Sequence, residues 1–219
     1  MLTLTLIQKI VVWVIPVLLA ITLHEAAHAW VANRCGDPTA KMLGRLSINP
    51  LRHVALVGTI IVPIVVAILS QFQFIFGWAK PVPVNWSKLH NPRRDMGFVA
   101  IAGPLSNFIM ALLWAGLFKI ATLLHPETSR PILFLLLTAQ AGIIVNLVVA
   151  FVNLIPIPPL DGSRIIASLL PPRQAVFYLK IERYGLFILI ALLFTGLLNN
   201  LLGPALSWAI AMINILYNL

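Results

Sequence analysis

From residue 10 to residue 23 the chain carries one polar side chain, Thr22, and no charge. Further apolar runs follow at about 56–78, 98–124, 131–155, 184–198 and 201–216. A helix that crosses the hydrocarbon core of a bilayer needs about 20 mostly apolar residues. Lipid offers no partner to backbone N–H and C=O groups, so a spanning segment has to satisfy them itself. Composition points the same way: 60% of the 219 residues are hydrophobic and 10% are charged, against about 45–50% and about 25% in a soluble domain. That balance argues against a soluble enzyme, a disordered chain or a nucleic-acid-binding domain. The expectation is an all-α polytopic membrane protein with about five to six transmembrane helices. It forms one membrane-embedded domain over 1–219, with a core at about 4–165 and a C-terminal helical pair at 178–217.

Net charge is +9, from 15 basic and 6 acidic residues. The basic residues gather between the apolar runs, in 34–53, 79–95 and 161–183. Under the positive-inside rule all three segments face the cytoplasm, against its anionic leaflet. A single crossing by 56–78 would put 34–53 and 79–95 on opposite sides. Pro63 and the polar stretch 70–73 interrupt that run, so 56–85 is expected to be re-entrant or partly extended. Irregular backbone at membrane depth has to be buried in protein or line a wet cavity, which puts this segment beside the functional site. Lys9 before an apolar run and Ala27-His28-Ala29 fit a signal-peptide pattern. Thr22, His24 and Glu25 speak against cleavage there, and the first helix is expected to stay. The lone cysteine, Cys35, excludes an internal disulfide and is expected to pack at a helix end.

The chemistry begins inside the first run. His24-Glu25-Ala26-Ala27-His28 fits H-E-x-x-H. Residues four apart share one helical face, so both imidazoles can hold one metal ion, with zinc favoured. Glu25, beside the first histidine, can take a proton from water at that ion. Ionisable groups inside a membrane segment are costly and rarely idle. A zinc site that does chemistry needs a third protein ligand. Glu127, Asp95, Glu182 and Asp37 are poorly placed: Glu127 in an outer turn, Asp95 and Glu182 among basic residues and expected to be solvated, Asp37 in a loop. The first and fourth runs both descend from outside to inside, which brings Asp161 to the depth of His28. An aspartate before a glycine is also the ordinary signature of a turn, so both readings of Asp161 stand on spacing alone.

The first motif, paired with Asn153-Leu154-Ile155-Pro156-Ile157-Pro158-Pro159-Leu160-Asp161-Gly162, resembles the site-2 proteases, the intramembrane zinc metalloproteases. Gly103-Pro104-Leu105-Ser106-Asn107 resembles that family's G-P-x-x-N signature, and Gly44 to Pro50 and Gly77 to Asn85 resemble connectors of one bacterial or archaeal branch. The resemblance implies His24, His28 and Asp161 as ligands of one Zn2+ per chain, Glu25 as the base, and Asn153 as a group that holds substrate or transition state. It implies a minimal form without the PDZ or CBS domain that members often carry. It also implies transmembrane protein substrates, a multi-pass location in the cell membrane, and an active site toward the cytoplasm. Membrane proteases of prenylated proteins share H-E-x-x-H but take a glutamate as third ligand, and Glu127 and Glu182 lack the topology. A metal transporter or a catalytically silent metal-binding scaffold are the non-enzyme alternatives. Convergence of the polar groups at one end, and the presence of Glu25, weigh against both.

Overall fold

The computed structural model describes residues 5–53, 55, 58, 61, 80–127 and 129–218. These residues form eight α-helices and short 3-10 turns, with no strand among them. Helix α1 spans Leu6–Arg34, α2 Thr39–Met42, α3 Pro92–Leu123 and α4 Arg130–Leu154. Helix α5 spans Asp161–Leu169, α6 Pro172–Leu179, α7 Glu182–Phe194 and α8 Leu197–Tyr217. Among the described residues, α1 (from Ile10), α3, α4 and α8 are long and apolar enough to cross a membrane. The protein is an all-α polytopic membrane protein.

The second and fifth apolar runs stand apart from the other four. The second, 56–78, lies almost wholly outside the described residues, and with it most of the segment expected to be re-entrant or partly extended. The fifth forms α7, of 13 residues. At 1.5 Å per residue that is about 20 Å, short of a hydrocarbon core of about 30 Å. It does not extend back to Tyr178, because Lys180 and Ile181 turn between α6 and α7. The break before α8 falls at Gly196 rather than at Asn199-Asn200. Gly196 holds φ 73°, a left-handed backbone that a Cβ disfavours, and Asn199 and Asn200 sit in the first turns of α8.

Helix α3 is the centre of the bundle. It packs on α1, α4 and α5, and α1 also packs on α4. Ala111, Trp114 and Ala115 of α3 meet Ala139, Ile143 and Leu147 of α4 and Ala209 and Ile213 of α8. Small residues let helix backbones approach where lipid supplies no hydrophobic drive between helices. α3 starts at Pro92, ahead of its apolar run, with proline in the first helical position where its missing N–H costs nothing. Asp95 in that first turn is 2% exposed, not solvated. Its Oδ2 accepts the Asn91 N–H at 2.8 Å and its Oδ1 meets Arg94 Nε at 3.2 Å. A carboxylate here also favours the positive end of the helix dipole.

Beyond α1 the chain turns back through a buried carboxylate. Cys35 caps the helix and packs beside Ala32, Leu89 and Val99. Burial, with Asp95 nearby, raises its thiol pKa, which suits a packing residue rather than a reactive one. Asp37 is fully buried. Its Oδ1 accepts from Thr39 N at 3.0 Å and Thr39 Oγ1 at 2.5 Å, and its Oδ2 from Asn85 N at 2.6 Å. Burial works against its charge, but the Thr39 hydroxyl and the Asn85 and Thr39 N–H groups outweigh it, holding the carboxyl below the usual range. Asp37 thus ties the end of α1 to the stretch 80–85, which runs extended as its prolines require.

A depressed carboxyl stabilises the fold above its unfolded pKa, and that contribution is lost as pH falls through the folded value. Asp37→Asn is expected to cost about 2 kcal/mol at pH 7. Thermal unfolding in detergent should show the gap between variant and wild type narrowing in acid.

Candidate metal centre

Four residues apart on α1, His24 and His28 are 6% and 8% exposed. Their Nε2 atoms stand 3.0 Å from each other. Asp161, the first residue of α5, places Oδ2 at 3.1 Å from His24 Nε2 and 3.2 Å from His28 Nε2. Among the described residues this is the one group of three or more potential ligands close enough to share a metal ion. It joins chain segments more than a hundred residues apart through the packing of α3 on α1 and α5.

Helix α3 fixes both rings from behind. His24 Nδ1 lies 2.7 Å from Asn107 Oδ1, and His28 Nδ1 lies 2.7 Å from Val99 O. Both partners accept, so each ring donates from Nδ1. Each neutral ring then turns an Nε2 lone pair toward the cluster. Asn107, itself fully buried, donates from Nδ2 to Ala20 O at 3.2 Å and Asn146 Oδ1 at 3.0 Å. Asn146 in turn donates to Gly142 O at 2.8 Å. This chain of amides locks the His24 ring and joins α1, α3 and α4. The Val99 carbonyl sits one residue before Ala100, whose carbonyl would be the helical partner of residue 104. Pro104 has no N–H to give it.

Glycine makes the approach possible at two points. A Cβ on Gly103 would stand 2.4 Å from His28 Nε2 and 2.6 Å from His24 Cε1. Any side chain there would drive α3 off the imidazoles. A Cβ on Gly162 would stand 2.2 Å from the Leu154 carbonyl oxygen, so glycine lets the start of α5 close on the end of α4. That closure brings Asp161 back to the histidines.

The donor set fits a divalent metal. Two Nε2 lone pairs and a carboxylate oxygen face one another within 3.2 Å, and Asp161 Oδ2 is buried with no hydrogen bond. Three electron-rich atoms at that spacing need positive charge between them.

Glu25 follows His24 on the helix and is half-buried. Its Oε2 accepts the Val82 backbone N–H at 2.8 Å. Asn153 is not drawn into the cluster. Its Nδ2 donates to Val149 O at 2.9 Å, one turn back on its own helix. Glu127 is exposed, 3.4 Å from His125, in the turn between α3 and α4. Glu182 is exposed and pairs with Arg164 at 2.8 Å.

The comparison with known proteins decides the family. A chain from Bacillus subtilis (strain 168), "Putative zinc metalloprotease YwhC", is 38% identical over 202 residues, covering 89% of this chain and 85% of that one. The chain belongs to peptidase family M50, the site-2 protease family. The model of peptidase family M50 matches residues 115–196, the part of this M50 peptidase that holds Asn153 and Asp161. "Putative zinc metalloprotease Rip2" of Mycolicibacterium smegmatis is 28% identical over 192 residues, 87% of this chain and 70% of that one. Its namesake in Mycobacterium tuberculosis is 26% identical over 191 residues, with the same coverage. No solved structure matches the M50 chain.

The sequence reading of this M50 chain quoted Asn107 in Gly103 to Asn107 without a role for its side chain, and it missed three other parts of the site. The amide of Asn146 could have been suspected, as a polar group inside an apolar run. The Val99 carbonyl and the Val82 N–H are backbone groups and leave no mark in composition. Orienting groups of this kind are worth about 10- to 100-fold in metal affinity. Asn107→Ala is therefore expected to weaken zinc binding by about that factor in competition with a chelator. Gly103→Ala is expected to weaken it further, because its Cβ displaces the rings themselves.

Proposed function

We propose that this M50 peptidase hydrolyses peptide bonds within transmembrane segments of membrane proteins, with one zinc ion held by His24, His28 and Asp161. The observation that carries the reading is the convergence of those three donors beside Glu25 on a helix of spanning length. His28 stands six positions before Arg34, the end of α1, which is about 9 Å of helix axis. Arg34, Arg93, Arg94 and Arg164 gather at that end of the bundle, which favours a cytoplasmic-side site within the bilayer.

A bound zinc ion supplies Lewis acidity, which acidifies water and polarises a carbonyl. The chain does the rest. Asn107 and Val99 hold the imidazoles with their Nε2 atoms forward. Glu25 takes the proton of the attacking water and passes it to the leaving amine. Asn153, by family resemblance, reaches the substrate backbone, and to do so it exchanges its bond to Val149 O. A helical substrate has its own carbonyls satisfied and must unwind before attack. Pro81 and Pro83 lack N–H groups and Val82 spends its own on Glu25, so stretch 80–84 is a poor edge for an added strand.

The test is purified full-length chain in proteoliposomes with a panel of tagged single-span segments, each broken by an Asn-Pro pair. Wild type is expected to cleave and to carry zinc. Glu25→Gln should keep the zinc and lose at least about 100-fold in rate. Equal cleavage by both proteins would remove Glu25 from the mechanism. Zinc in both with no cleavage would turn the reading to a silent metal-binding scaffold.

A further inference from the structure

Glu25 reaches its position with help from a segment more than fifty residues away. The stretch 80–85 crosses the base tied at both ends: Lys80 N–H donates to His53 O at 2.9 Å, and Asn85 N–H donates to Asp37 Oδ2 at 2.6 Å. Between the ties the sequence is Pro81-Val82-Pro83-Val84. Proline fixes its own φ near −65° and confines the residue before it to extended backbone. Lys80 and Val82 both precede proline, so the segment has few conformers to lose. Of its two N–H groups, the one at Val82 points at Glu25 Oε2, 2.8 Å away.

A glutamate side chain has three rotatable bonds, and holding one rotamer costs conformational entropy. A hydrogen bond onto an ionised carboxylate is about twice as strong as a neutral one. It offsets that cost and engages one carboxylate oxygen, Oε2. We propose that the Val82 backbone N–H is the positioning group for Glu25. The proline-preset strap, anchored at Asp37 and His53, exists to deliver it. Val82 acts through Glu25 and touches neither metal nor substrate. The inference rests on the proposed role of Glu25 as base.

Two variants isolate the donor. Val82→Pro removes the N–H where flanking prolines already impose extended backbone. A backbone ester at Val82 removes it with the valine side chain intact. Val82→Ala keeps the N–H and serves as control. The assay is cleavage of the Asn-Pro single-span segment by the full chain in proteoliposomes, with zinc content and thermal unfolding measured on each protein. Both donor-less variants are expected to lose about 10- to 100-fold in kcat, with KM, zinc content and unfolding temperature held and Val82→Ala near wild type. Wild-type kcat in either donor-less protein overturns the proposal. So does a joint fall in zinc content and unfolding temperature, which would make the strap a structural brace. Failure of the underlying reading looks different, because Glu25→Gln would then cleave like wild type whatever happens at Val82.

Discussion

Two imidazoles placed inside a bilayer must each give a proton to something, and this requirement organises the bundle. Water is scarce there, and an unpaired buried donor costs several kcal/mol. Helix α3 answers both needs from one face: Asn107 Oδ1 takes the His24 proton and Val99 O takes that of His28. Once those bonds form, the Nε2 atoms can only face inward. The approach of α3 then depends on Gly103, since a Cβ would overlap both rings. Glycine in a helix interior costs about 1 kcal/mol relative to alanine. In this position it permits two charge-orienting hydrogen bonds, so the balance favours it.

The rest of the polar interior follows the same rule. Asn107, Asn146 and Thr138 sit in spanning helices, and each is paired with another side chain or with a carbonyl one turn back. Interhelical hydrogen bonds in membranes average only about 0.6 kcal/mol, so they specify more than they stabilise. They set the rotation of α1, α3 and α4 about their axes, which apolar packing against lipid does not do. The three donors converge because that rotation is fixed.

How much of this was legible in sequence depends on what each feature leaves in the side-chain record. Helices α1, α3, α4 and α8 announce themselves as apolar runs. His24 and His28 do so by a spacing that puts them on one face, and Asp161 by the matching direction of two helices. Asp95 was read as solvated because its neighbours Arg93 and Arg94 are basic. Its burial comes from a bond to the Asn91 backbone, which no charge count shows. The fifth apolar run looked able to reach back to Tyr178, but apolarity does not distinguish a spanning helix from one stopped short by a turn at Lys180. Asn199-Asn200 resembled a break by composition, yet Gly196 ended the helix, because a left-handed backbone is scarcer than a polar side chain.

What sequence hides most completely is the work of the main chain. Val99 O and Val82 N–H are the backbone partners of His28 and of Glu25, and any residue but proline could supply the latter. The side chains around them are what carry information. Pro81 and Pro83 narrow the path of the strap, Asp37 holds its far end, and Pro104 withholds an N–H from the turn beside Val99. A proline-rich connector between apolar runs therefore need not be only a linker. Where an acidic residue one loop away is fully buried and bonded to it, the connector has a fixed course, and the group it carries past the site has a fixed aim.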